Sequence, residues 1–140
     1  MMQPLILLAV ISAAFIGANQ TLGYRVSFDI GYGAFTLMAA MISLTFLWLW
    51  ARRATPLAMG MAFGWAGAAS VMGWWWMYNL LRKPAVMIDS PLMFLLLSVY
   101  FVGAILHFQV IWQTFGARNR LYVLPIAVCL IVSVLAQQLG

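Results

Sequence analysis

The chain has 140 residues, 66% of them apolar and only 6% charged, and seven Lys and Arg against two acidic residues give a net charge of +5. Soluble domains carry about 25% charged residues, so this composition excludes an ordinary soluble domain and predicts an integral membrane protein. The cations stand singly or in pairs between apolar runs, which excludes a nucleic-acid-binding tract and reads as topology signals and lipid-headgroup contacts.

The first apolar run covers residues 4–18 and has no Lys or Arg before it, so it lacks the charged start of a signal peptide. It predicts a first transmembrane helix over 4–22, near the short limit for spanning. Residues 19–27 are expected to form a polar connection containing Arg25. A second helix follows over 28–50. Asp29 is expected at its start, where a carboxylate favours the positive end of the helix dipole and can pair with Arg25. Gly31 and Gly33 permit close contact early in this helix. Trp48 and Trp50, followed by Arg52 and Arg53, mark an interface at its end.

Thr55-Pro56 opens a third helix over 56–81, with proline in the first turn, where its missing N–H costs nothing. Arg82-Lys83-Pro84 ends it. Asp89-Ser90-Pro91 is a compact helix-start signature for a fourth helix over 91–115. Arg118 and Arg120 flank the next turn, and a fifth helix is expected over 121–139, with Pro125 near its beginning. Cys129 lies in this last apolar run and reads as a small buried apolar residue. The expected fold is therefore all-α: a single polytopic transmembrane bundle of five helices, or four if the first run is not a span. A cytoplasmic N-terminus would put Arg52, Arg53, Arg118 and Arg120 inside and Arg25, Arg82 and Lys83 outside. This balance favours that orientation in a bacterial-type inner membrane.

The third helix carries the most distinctive pattern. Gly60, Gly64, Gly67, Val71, Trp74 and Tyr78 fall on one face, a small-residue groove at one end and an aromatic block at the other. The glycines suit close helix packing. Trp74, Trp75 and Trp76 point in three directions, so they cannot share one pocket and suit the headgroup level. A sharper reading makes Trp74 and Tyr78 walls for an aromatic or cationic ligand, with Asp89 near the same interface to neutralise a cation.

His107 is the only histidine and the only ionisable side chain deep in a span, with Tyr100 on its helical face. The plain expectation is a neutral imidazole bonded to a neighbouring helix. The alternatives are an axial ligand to haem or a chlorophyll-type pigment, or a proton or solute role. Gln109 and Gln113 form a second polar stripe, suited to bonds across helices or between chains. The chain has no Glu, and no carboxylate pair, nucleophile triad, metal-ligand cluster or phosphate loop occurs. The expectation is a non-enzymatic membrane subunit, with catalytic and metal residues none and no cofactor otherwise indicated. It would pack in the lipid bilayer with other membrane subunits or copies of itself. A small oligomeric transporter or channel for a hydrophobic or cationic solute is the alternative, and a haem- or pigment-binding subunit through His107 the third.

Overall fold

In the computed structural model, residues 2–114 and 121–139 are described, and their regular structure is entirely helical. Five α-helices follow one another: α1 (Met2–Leu22), α2 (Tyr24–Arg53), α3 (Pro56–Leu80), α4 (Leu92–Thr114) and α5 (Leu124–Leu139). Short 3-10 turns at Ala85–Met87 and Leu121–Val123 precede α4 and α5.

Three stretches are long and apolar enough to cross a membrane: Gln3–Leu22, Tyr24–Arg53 and Ala85–Thr114. The other two helices fall short for different reasons. α3 has 25 residues, but its glycines and tryptophans, with Tyr78 and Asn79, lower its mean hydropathy. α5 is strongly apolar but has only 16 residues, below the roughly 20 that a span needs.

The expected polar connection over 19–27 is not a loop. α1 continues to Leu22, α2 starts at Tyr24, and Gly23 alone separates them at φ 83°, a left-handed conformation that glycine adopts freely. Polar side chains here bond to their own helix: Thr21 Oγ1 donates to the Gly17 carbonyl at 3.0 Å, and Ser27 Oγ to the Gly23 carbonyl at 3.0 Å. Helix thus satisfies them as well as a loop would. Asp29 consequently lies beyond the first turn of α2, away from the dipole's end, and forms no ion pair with Arg25. At 30 residues α2 is about 45 Å long, enough to cross both the hydrocarbon and the headgroup layers.

The remaining boundaries follow local chemistry. Arg52 lies 5.6 Å over the Trp48 ring at the end of α2, and Ala54 closes the helix in the left-handed region, its N–H donating to the Trp50 carbonyl at 2.6 Å. Thr55 in extended geometry and Pro56 open α3. Ser90 Oγ accepts the Leu92 N–H at 3.4 Å where α4 begins. The end expected for the fourth helix, Phe115, and the basic pair Arg118 and Arg120 lie outside the described residues. The fifth helix begins at Leu124 instead of Leu121, because residues 121–123 form the tighter turn.

α2, α3 and α4 form the core, with α3 in the middle. The buried residues are small: Ala39, Ala58, Ala62 and Ala69, with Gly33, Gly60, Gly67 and Gly103. Large apolar side chains are exposed along every helix, among them Leu7, Leu37, Leu57, Leu95 and Leu135. This arrangement suits lipid, where burying leucine gains nothing over leaving it among acyl chains and close backbone approach supplies the attraction. α1 folds back on α2 only far enough to set the Phe15 ring against Gly31. α5 is anchored at its first turn through Ile126 and is exposed from Ala127 onward. Cys129, expected to be buried, is therefore exposed. The chain presents 10686 Å² of surface, against about 7,200 Å² for a compact soluble monomer of its 15.6 kDa mass.

Candidate functional site

The seam between α3 and α4 gathers most of the residues singled out by the sequence. A Cβ at Gly60 would lie 3.1 Å from the His107 backbone nitrogen, and one at Gly67 would lie 2.5 Å from both the nitrogen and the Cβ of Tyr100. From the other side, a Cβ on Gly103 would come within 2.5 Å of the Gly64 Cα and 2.7 Å of the Phe63 carbonyl carbon. The glycine face of α3 is thus laid against Tyr100, Gly103 and His107 of α4, backbone on backbone. Spacing explains the match: three and four residues separate successive positions on both helices, so each row stays on one face.

Gly64 behaves differently from its neighbours. Its own Cβ direction meets no atom within 4 Å. It forms part of the wall of a groove of about 470 Å³, lined by Gly60, Gly64, Trp65 and Ala68 of α3 and by Tyr100, Gly103, Ala104, His107 and Phe108 of α4. Phe35 of α2 and Met61 complete it. The lining is apolar and aromatic apart from the His107 imidazole, the Tyr100 hydroxyl and the Trp65 indole N–H.

His107 sits at the fifteenth step from the start of α4, about 22 Å along the helix. Its Nδ1 is buried and has no hydrogen-bond partner among the described residues. The neighbouring-helix bond expected for this imidazole is therefore not formed through Nδ1. The His107 imidazole lines the groove in largely apolar and aromatic surroundings. Thr36 Oγ1 and Trp112 Nε1 are likewise buried without described partners.

The three consecutive indoles do separate. Trp74 Nε1 donates to the Met87 carbonyl at 3.2 Å and ties the end of α3 to the turn before α4. The Trp76 ring lies against Gly33 of α2, where a Cβ would come within 2.7 Å of it. Trp75 faces outward and packs edge-on against Tyr78, with ring centroids 5.6 Å apart. Trp74 and Tyr78 thus take different partners. With exposed Asp89 they lie at the end of the bundle where α3 finishes and α4 begins, well away from His107. The structure brings Tyr100 and His107 together and leaves Trp74, Tyr78 and Asp89 apart from them. Gln109 is half-buried and Gln113 exposed, and neither side chain bonds to another described residue.

Sequence reasoning did not assign Gly103 its central place, nor Trp65, Phe108 and Phe35 theirs. The signal for Gly103 was present: it stands three residues after Tyr100 and four before His107, the α3 glycine spacing read in reverse. Nothing local marks the three aromatics, which become a wall only when helices distant in sequence meet.

No protein-family model, curated protein or solved structure matches this chain.

Proposed function

We propose that the chain is a non-enzymatic integral membrane subunit that works by helix packing, with other membrane subunits or with copies of itself. The observation that carries this reading is the state of α1 and α5. Both lie outside the three-helix core, and most described residues of each are exposed and apolar. Lipid covers such helices, but so do partner helices, and the amides of Gln109 and Gln113, unbonded among the described residues, favour partners that supply polar groups. The bacterial-type inner membrane and the cytoplasmic N-terminus belong to the same proposal, supported by the cation distribution.

Native mass spectrometry, with an absorbance spectrum, on protein extracted gently from its own membrane tests it. The expected result is a fixed stoichiometry of chains, either several copies or this chain with further polypeptides. A bare monomer that stays monomeric across detergents overturns it.

The groove at His107 favours a second reading: a binding or transport step for a small hydrophobic solute. With no carboxylate in its lining, the groove suits a neutral solute carrying an acceptor oxygen better than a cation. Haem or pigment ligation through His107 fits less well. A metal-bound histidine normally donates its other ring N–H to a partner that orients it, and Nδ1 has none among the described residues. Gly64→Leu provides the test, since the Cβ direction at Gly64 is open and Gly64 lines the groove. Loss of solute flux or of a co-purified ligand, with unchanged assembly, supports this second reading. Unchanged flux and ligand content count against it.

A further inference from the structure

Two cavities meet where α2 begins and α3 ends. The first, of about 770 Å³, is lined by Tyr24, Arg25, Phe28, Asp29, Asn79, Arg82 and Lys83. Three cations and one carboxylate therefore converge from α2 and from the end of α3, and no salt bridge forms among them. The positive charge is left two in excess and unneutralised. Arg82 and Lys83 are held there by consecutive left-handed residues, at φ 60° and 62°, after their N–H groups close α3 on the Asn79 and Tyr78 carbonyls at 3.2 and 2.8 Å.

The second cavity, of about 680 Å³, is the gap left where α1 splays from α2. Phe15 and Ile16 of α1 form one wall; Tyr32, Phe35 and Met38 of α2 form the other. Its lining is almost wholly apolar. Tyr24 and Phe28 line both cavities, so the basic pocket and the apolar groove lie next to each other along α2. From Tyr24 to Met38 the groove follows α2 for about 21 Å, more than the roughly 15 Å depth of one leaflet.

We propose that the two cavities form one site for an anionic phospholipid, with Arg25, Arg82 and Lys83 holding the phosphate and the α1–α2 groove taking an acyl chain. A cationic pocket at the end of the helices, adjoining an apolar groove that runs along α2, matches an amphiphile with a negative head and a hydrocarbon tail. A free anion would not use the groove, and a zwitterionic lipid would leave the excess charge uncompensated. The site shares only Phe35 with the groove at the α3–α4 seam. It rests only on the chain lying in a bilayer, not on its packing with partners.

The test uses the full-length chain, delipidated in a neutral detergent and titrated with phosphatidylglycerol, with phosphatidylcholine of the same chains, or with inorganic phosphate. Native mass spectrometry counts bound lipid. One phosphatidylglycerol per chain is expected, retained at least tenfold more tightly than phosphatidylcholine. Each cation removed should weaken it by roughly fivefold, so R25Q/R82Q/K83Q should lose on the order of 100-fold. Asp29→Asn should tighten it by a similar fivefold, a gain that misfolding cannot imitate. Ala34→Trp, at an exposed position lining the groove, should weaken both lipids together while keeping their ratio. Equal binding of the two lipids, an unchanged triple variant, or weaker binding by Asp29→Asn overturns the proposal. So does competition by inorganic phosphate at millimolar concentration, which would make the pocket a simple anion site.

Discussion

Gly103→Ala isolates the close contact on which the α3–α4 seam depends. The added methyl would lie 2.5 Å from the Gly64 Cα and 2.7 Å from the Phe63 carbonyl carbon. Carbon atoms rest at about 3.5–4.0 Å. The obstructing atoms are backbone, which no side-chain rotation can move, so the helices must part locally by about 1 Å. A gap of that size forfeits up to half of each contact's attraction. With roughly 20–30 atom pairs at about 0.15 kcal/mol each along the seam, the loss is about 2 kcal/mol, within the range for overpacked cores. The intrinsic helix preference for alanine, about 1 kcal/mol in water, offsets little of this, because the dissociated helices remain helical in detergent or lipid. Reversible unfolding in mixed micelles titrated with sodium dodecyl sulfate, followed by tryptophan fluorescence, reads the difference. Gly64→Ala serves as the control: it faces Gly103 across the same seam, yet its own Cβ direction is open. The reasoning predicts a loss of about 2 kcal/mol for Gly103→Ala and less than about 0.5 kcal/mol for Gly64→Ala. Equal effects, or a Gly103→Ala protein as stable as the parent, would refute it.

The same titration checks the other side of α3. Trp76→Ala removes the indole set against Gly33 and leaves an unfilled space between α2 and α3, an expected loss of about 3 kcal/mol. Restoring stability with Trp76→Phe to within about 1 kcal/mol would support packing as the cause. Ser43→Ala removes the 2.8 Å hydrogen bond from Ser43 Oγ to the Ala62 carbonyl, a side-chain bond between α2 and α3. It should cost about 0.6 kcal/mol, since bonds between helices in membranes average no more than that. A loss above about 2 kcal/mol would show that the hydroxyl does more than make this bond.

Composition and local pattern, read alone, determined residence in a membrane, an all-helical chain and the approximate place of each helix. These are properties of windows of about 20 residues: apolar content decides whether a helix can sit in lipid, and Thr55-Pro56 or Ser90-Pro91 decides where one begins. The glycine face of α3 was legible for the same reason, since helical periodicity is local. What that face would meet was not. In lipid, no hydrophobic driving force selects an inner side, and a helix that is apolar all round carries no polarity signal for its partner. The fit of Gly64 to Gly103, of Trp76 to Gly33 and of Trp74 to Met87 therefore depends on shape between distant segments, which only the tertiary structure supplies. Residues 19–27 misled because polar groups at a membrane surface are equally well satisfied in helix and in loop, and Gly23 alone was enough to turn the chain. Arg25, Arg82 and Lys83 read in sequence as separate interface markers. They share one cavity because the end of α3 comes down beside the start of α2, an arrangement set by packing and not by any one segment.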